Sequence, residues 1–389
     1  MHIGTKLIHN GHEADAATGA VNVPIVQTST FDQKKRFKEG AHAQAPEFEY
    51  ARSGNPTRKA LEETIAFLEG GAKGFAFASG VAALSSVLGI FATGDHIIAA
   101  QDIYGGTWRI LNTFYKRWGL TSSFFDATDP QTLKKAIQPH TKAVILETPS
   151  NPLLKITDLA LCTKIAQDAG LISLVDNTFM TPYLQRPLEL GADIVIHSAT
   201  KFLGGHSDVI AGLVVTKSAV LGRSISAVQT GFGAVLGPHD SWLVLRGIKT
   251  LKVRLDAQQA SAQKIAAWLQ TNPVVSEVFY PGLADHPGRT TNESQAAGAG
   301  AVLSFKTKTP EQALQFLGNV EYAAPAESLG GVETIASYPV RMSHASMPEA
   351  ERQRLGISDT LIRISVGLED TDDLIADFDR TLRSGTACV

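Results

Sequence analysis

Leu171-Ile172-Ser173-Leu174-Val175-Asp176-Asn177-Thr178 and, further on, Ile194-Val195-Ile196-His197-Ser198-Ala199-Thr200-Lys201-Phe202-Leu203-Gly204-Gly205-His206-Ser207-Asp208 decide the fold. Each stretch begins with an apolar run of strand length and ends in polar residues, the pattern of a buried parallel strand leaving its sheet. In open α/β sheets, ligands sit outside those carboxyl ends. The first run delivers a carboxylate, Asp176. The second delivers the hydroxyls of Ser198 and Thr200 and the amine of Lys201, followed by two glycines that let backbone and ligand approach closely.

A carboxylate, two hydroxyls and an amine at one crevice are the donor set that pyridoxal phosphate needs. The lysine captures the cofactor's aldehyde, the carboxylate keeps the pyridine nitrogen protonated so that the ring accepts electrons, and hydroxyls with backbone amides hold the phosphate. The plainer alternative is a solvated lysine on a surface loop. That alternative has also to explain an aspartate ending one strand and a Ser-x-Thr-Lys-x-x-Gly-Gly run ending the next. The segment from Ser198 to Asp208 resembles the cofactor-lysine signature of the Cys/Met-metabolism (transsulfuration) family of pyridoxal phosphate enzymes, and the likeness runs nearly end to end. It implies a PLP-dependent transferase-like fold of type I. That fold has a large α/β domain with a mainly parallel seven-stranded sheet between helices, and a smaller α+β C-terminal domain.

Working upstream, Ala143-Val144-Ile145-Leu146-Glu147 is a further strand, and Thr148-Pro149-Ser150-Asn151-Pro152 follows it. Asn151 reads locally as a turn former beside Pro152; the resemblance places it near the cofactor's phenolic oxygen and the substrate carboxylate. After the strand Ile97-Ile98-Ala99-Ala100, Tyr104 precedes Gly105-Gly106 and is either a half-buried core tyrosine or a ring that stacks on a cofactor. The resemblance implies the latter and makes Tyr104 a proton carrier beside Lys201 and Asp176. Gly74-Phe75-Ala76-Phe77-Ala78 is a strand that Ser79-Gly80-Val81 turns into a helix. Such a turn is a plain tight turn or an anion site, since free amides and the helix dipole face outward. By resemblance, Ser79, Gly80 and Val81 hold phosphate, with Val81 where the family has methionine.

Asn55 reads as an N-cap with Pro56 at the first helical position, Leu61, Ile65 and Leu68 carry the helical spacing, and Gly70-Gly71 ends it. Ahead of it, residues 1–50 show no convincing long helix and read as an extended arm. Tyr50 and Arg52, two apart on an extended segment, point the same way and can reach one anion. Tyr50-Ala51-Arg52-Ser53-Gly54-Asn55-Pro56-Thr57 resembles the family block whose tyrosine and arginine bind the cofactor phosphate of a neighbouring subunit, with Tyr50 also reaching the substrate. The resemblance therefore implies a homo-oligomer, a tetramer built as a dimer of dimers with shared active sites.

Alternating strand and helix patterns from about residue 57 to 215, with one more strand over 210–215, predict a mainly parallel sheet covered on both faces. Leu251, Leu255, Ile265, Trp268 and Leu269 recur at helical intervals within 241–269. Val302-Leu303-Ser304-Phe305 and Leu361 to Val366 read as strands, and Leu374, Phe378 and Leu382 mark an amphipathic helix. The expected division is an arm over 1–50 against a neighbouring subunit, a cofactor domain over 51–245 and a small domain over 246–389. Arg363 interrupts an apolar strand, either as an edge-strand arginine facing water or as a planar grip on a carboxylate. Asp359 to Gly367 resembles the family block whose arginine binds the substrate α-carboxylate. The block from Ser328 to Thr334 resembles one lining the substrate pocket, with Ser328 as ligand and Glu333 as a discriminator among substrates.

The 389 residues carry a net charge of -3, which supplies no basic excess for nucleic acid or an anionic membrane. Two cysteines, Cys162 and Cys388, are too few for a disulfide scaffold or a zinc cluster, so no metal site is expected. Met1 to Lys6 lacks the apolar core of a signal peptide and no run of about 18 apolar residues occurs, so a cytoplasmic protein is expected. Gly-x-Gly-x-x-Gly after a first strand, a Walker loop and a Gly-x-Ser-x-Gly elbow are all missing. A binding-only descendant of the fold is expected to have lost the lysine or the aspartate, and both are present.

The resemblance thus implies a PLP-dependent carbon-sulfur lyase in which Lys201 removes the α-proton of a sulfur amino acid. Its preferred outcome is β-elimination of L-cystathionine to homocysteine, pyruvate and ammonia. The blocks Tyr280 to Gly288 and Ser337 to Ala345 look most like bacterial lyase-type members. γ-Elimination to cysteine, 2-oxobutyrate and ammonia stands second, and γ-synthesis from an O-acyl-homoserine and cysteine third. Gly106 argues against a methionine γ-lyase, which typically carries cysteine there.

Overall fold

A computed structural model describes residues 1–9, 14–37, 47–345 and 347–383. Parts of the arm read over 1–50, and Cys388, lie outside the described residues. Seven strands form the large sheet: β1 (Lys73–Phe77), β2 (His96–Ala100), β3 (Thr121–Phe125), β4 (Thr141–Glu147), β5 (Ile172–Asp176), β6 (Ile194–Ser198) and β7 (Gly212–Thr216). Their order is β1-β7-β6-β5-β4-β2-β3. β3, β2, β4, β5 and β6 pair in parallel in that order, while β7 pairs antiparallel with both β6 and β1, so β7 alone is reversed. The sheet is therefore mainly parallel, as the apolar runs predict. Its central strands are buried on both faces, which is why they carry few alternating polar residues.

The helix Pro56–Glu69 begins as the sequence predicts. The Asn55 side chain accepts from the Thr57 and Arg58 amides, and Gly70 ends the helix at φ 74°, a left-handed conformation that glycine adopts without penalty. Ahead of it, the arm is not wholly extended. A short helix, Ile3–His9, seats Leu7 in the core. Residues 24–26 are pinned by the Thr57 hydroxyl donating to the Pro24 carbonyl and the Asn55 amide donating to that of Val26.

The 241–269 region forms two helices, Pro238–Lys249 and Leu251–Thr271, broken at Thr250. Beyond them a second sheet contains β8 (Val275–Phe279), β9 (Val302–Thr307), β10 (Ala324–Pro325), β11 (Ile335–Ser337) and β12 (Leu361–Ser365), in the order β10-β11-β12-β9-β8. The helix Thr371–Arg383 covers this sheet through Leu374, Phe378 and Leu382. Two apolar cores line the faces of the large sheet and a third belongs to the second sheet. Among the described residues, no helix is long and apolar enough to cross a membrane, and no histidine, cysteine and carboxylate cluster suits a metal.

Candidate active site

The carboxyl ends of β4, β5 and β6 deliver Glu147, Asp176 and Ser198 to one edge of the sheet. There they meet the loops carrying Ser79-Gly80, Tyr104 and Asn151 and, from the second sheet, Ser328 and Arg363. Together they line a cavity of about 260 Å3 that also holds Val81, Thr178, Thr200, Lys201, Glu327 and Ser343. Every site residue predicted from the sequence lies on this cavity except Tyr50, Arg52 and Glu333. Tyr50 and Arg52 stand apart within this chain. Tyr50 is 48 % exposed, and the Arg52 guanidinium, 5.7 Å from its ring centroid, donates to the Thr230 carbonyl at 2.6 Å.

Lys201 Nζ donates to Ser328 Oγ at 2.6 Å. Burial, with the Arg363 charge adding to it, pulls its pKa down to about 8, so an appreciable share of neutral amine exists near physiological pH. Ser328 is held at φ 95°, a left-handed backbone that disfavours serine. In that conformation its hydroxyl accepts from Lys201 while its carbonyl accepts from Arg363 Nη2 at 2.6 Å. Arg363, on β12, is 3 % exposed and is held by neutral oxygens alone: Asn151 Oδ1 (2.9 Å), Ser337 Oγ (3.0 Å) and the Ser328 carbonyl. Its Nε has no partner. Burial lowers its pKa to about 10. A buried guanidinium without a carboxylate is costly, and its position on the cavity wall offers that charge to an incoming anion.

Asp176 accepts from the Thr178 amide at 3.0 Å, and the Thr178 hydroxyl accepts from the Ser198 amide at 2.8 Å, which locks the ends of β5 and β6 together. Burial pushes the Asp176 carboxyl up, against the pull of its Thr178 hydrogen bonds. A cation facing it would relieve that cost. The Ser79 side chain caps the helix Gly80–Leu88 by accepting from Ala82 N at 3.0 Å. The turn is packed tightly: a Cβ on Gly80 would lie 2.8 Å from Ser198 Cβ, and one on Gly212 would lie 2.1 Å from the Ser79 carbonyl oxygen. The Thr200 hydroxyl is shared with Ala211, accepting from its amide at 3.0 Å.

Tyr104 begins the helix Gly105–Arg109, and its ring lies over Gly106, where a Cβ would come within 2.3 Å of Tyr104 Cε1. Gly106 is therefore a steric requirement of the ring's position, whereas a Cβ on Gly105 would lie 2.6 Å from the Ser343 carbonyl oxygen. Glu147, Glu327 and Ser343 line the cavity although nothing in the sequence analysis singles them out as ligands. Glu147 carries the signal that exposed Asp176, a carboxylate closing an apolar strand. Glu327 and Ser343 come from irregular segments with no such signal. Glu333 is exposed, accepts from the Ser207 hydroxyl at 3.2 Å and is not on the cavity wall; the carboxylate that this block's neighbourhood brings to the wall is Glu327.

An amine of lowered pKa, a buried carboxylate wanting a cation, a helix N-terminus flanked by hydroxyls and an unpaired guanidinium fit pyridoxal phosphate and an amino-acid substrate, and so define a cofactor-lysine enzyme of the α/β class. The chain belongs to the family described as Cys/Met metabolism PLP-dependent enzymes, whose model matches residues 4–383. It is 51 % identical over 379 residues to a cystathionine beta-lyase of Bacillus subtilis, covering 97 % of this chain and 96 % of that protein. It is 50 % identical over 380 residues to a cystathionine gamma-lyase of the same organism, covering 98 % and 99 %. Among solved structures, a cystathionine gamma-lyase from Lactobacillus plantarum complexed with L-serine superposes with a TM-score of 0.94 at 46 % identity, over 99 % of each chain. A cystathionine gamma synthase from Xanthomonas oryzae pv. oryzae in complex with cystathionine gives 0.95 at 40 %, over 100 % of each.

Proposed function

We propose that this protein is a carbon-sulfur lyase that splits L-cystathionine by β-elimination into homocysteine, pyruvate and ammonia. The observation that carries a lyase reading is the pairing of Lys201, its pKa lowered to about 8, with the carboxylate-free Arg363 across one cavity. The β outcome rests on the half-identical β-lyase relative. γ-Elimination to cysteine and 2-oxobutyrate is the second reading, favoured by the γ-lyase relative at almost the same identity.

When bound, pyridoxal phosphate supplies an aldehyde that captures amines and a ring that takes up the electron pair left on the α-carbon. The roles of the chain's own residues follow from their chemistry. Lys201 holds the cofactor through its amine. Asp176 pairs with the pyridine nitrogen. The amides of Gly80 and Val81 and the hydroxyls of Ser79, Ser198 and Thr200 hold the phosphate, and Tyr104 stacks on the ring. Arg363, steadied by Asn151 and Ser328, grips the substrate α-carboxylate. The Lys201 amine would accept the α-proton, the Cβ–S bond would break with its electron pair leaving on sulfur, and sulfur would take up a proton from Lys201 or from the Tyr104 hydroxyl. The three-carbon enamine left behind would leave the site and take up one water, giving pyruvate and ammonia.

Tyr50 and Arg52 complete the phosphate site, and Tyr50 the substrate site, of a neighbouring copy. This reading makes the protein a homotetramer of two active dimers, in the cytoplasm, with an arm over 1–50, a cofactor domain over 51–245 and a small domain over 246–389. Their position away from the cavity of their own chain supports it. Incubation of the cofactor-loaded protein with L-cystathionine, followed by product identification, tests the reaction. Pyruvate with homocysteine is expected; 2-oxobutyrate with cysteine replaces it by γ-elimination, and no cleavage refutes both.

A further inference from the structure

Glu147 is a buried carboxyl on the cavity wall to which the proposed reaction gives no task. It closes β4 directly beside Asp176, its register partner on β5. Its Oε2 accepts from the Tyr104 amide at 2.9 Å, and its carboxyl also accepts from the Asn151 backbone amide. The helix that Tyr104 opens has no side-chain cap of its own, so this carboxyl is what holds the chain where it enters that helix. Asn151, in turn, holds Arg363 Nη1 through Oδ1.

We propose that Glu147 is a positioning residue, whose rigid seat at the end of β4 sets where the Tyr104 ring and the Asn151 side chain stand, and through Asn151 the aim of Arg363. Two loops that share no ladder with each other are thereby referenced to one strand end. Side chains anchored on sheet ends are held more closely than side chains on free loops, which is the precision that a stacked ring and a carboxylate grip require. The groups facing Glu147 are Asp176 on β5 and Asp102 after β2, both acidic. With burial as the main cause and Asp176 next, its carboxyl is pushed well above the usual range. Burial and the neighbouring Asp176 thus both favour the uncharged form of Glu147, which can still accept through its carbonyl oxygen.

The proposal rests on Tyr104 lying against the cofactor ring, and the experiment separates the two. Cofactor affinity of the apoprotein is measured by titration, beside kcat and KM for L-cystathionine, in Glu147→Leu, Glu147→Gln, Tyr104→Ala and the Glu147→Leu/Tyr104→Ala double variant. Leucine leaves two amides without their acceptor, and kcat/KM is expected to fall about 100-fold, the cost of a misplacement near one ångström. Cofactor affinity falls with it. Glutamine keeps an acceptor oxygen without charge and recovers most of both losses. In the Tyr104→Ala background, Glu147→Leu weakens cofactor binding far less than in the wild type, since groups acting through each other are not additive. Should the leucine variant fail to accumulate as folded protein, Glu147→Asp, which withdraws the acceptor by one methylene, is expected to show the same losses. Equal damage by glutamine and leucine, or additive losses in the double variant, overturns the proposal. Unchanged cofactor affinity in Tyr104→Ala overturns the placement of the ring itself.

Discussion

Replacing Arg363 by methionine keeps most of the side-chain length and removes the guanidinium from a site where it is 3 % exposed. In the protein alone the substitution has two opposing effects. It abolishes a buried charge that no carboxylate balances, and it leaves Asn151 Oδ1, Ser337 Oγ and the Ser328 carbonyl without their donor. With substrate present, the α-carboxylate faces an apolar wall. Truncating one partner of a buried charge pair costs about 2–5 kcal/mol, which at about 1.4 kcal/mol per tenfold is roughly 30- to 4,000-fold in kcat/KM. Steady-state assay with L-cystathionine reads this loss. Binding of a decarboxylated analogue, which has no anion to offer, is expected to be the same in variant and wild type. Arg363 also lowers the Lys201 pKa, so the variant's lysine should titrate higher. A kcat/KM within about threefold of wild type, or an analogue that discriminates as strongly as the substrate, refutes the assignment of Arg363 to the carboxylate.

Three further outcomes follow from the same geometry. The rate at which the apoprotein takes up pyridoxal phosphate should rise with pH through a midpoint of about 8, since the neutral amine is the nucleophile and burial lowers the Lys201 pKa; a midpoint at the ordinary lysine value contradicts the buried setting. Asp176→Asn should reduce turnover by at least about 100-fold, the scale of losing one electrostatic stabiliser, while the apoprotein's melting temperature at neutral pH holds or rises. The sign follows from burial: a carboxyl whose folded pKa is raised is destabilising when ionised, and asparagine removes that cost. Finally, mixed oligomers of Arg52→Ala and Lys201→Ala chains should recover activity that neither shows alone, measured after co-refolding; failure to complement places both residues in one subunit's site.

Much of the site was legible because buried parallel strands write themselves as apolar runs, and the residues closing β4, β5 and β6 face the cavity. Asp176 and Ser198 are read that way, and Asn55 with Pro56 fixes a helix start by capping chemistry alone. β3 escapes the same reasoning because Thr121-Ser122-Ser123 on an edge strand gives no apolar run. β8 escapes because Ser276 and Glu277 face solvent. The break at Thr250 is hidden because Leu251 and Leu255 continue the spacing set by Val244 and Ile248, and all four are buried. Glu327 and Ser343 reach the cavity from segments outside regular structure, where neither period nor cap marks a direction. The depressed pKa of Lys201 is likewise a property of the assembled pocket, since its causes, burial and Arg363, are brought together only by the packing of the second sheet on the first.

The account stands on one covalent attachment, and reductive trapping reads it directly. Protein loaded with pyridoxal phosphate is treated with a hydride reductant, digested, and mapped by mass spectrometry. A pyridoxyl-phosphate adduct on the peptide containing Lys201, absent from Lys201→Ala, is the expected result. An adduct on another lysine, with Lys201 unmodified, contradicts it.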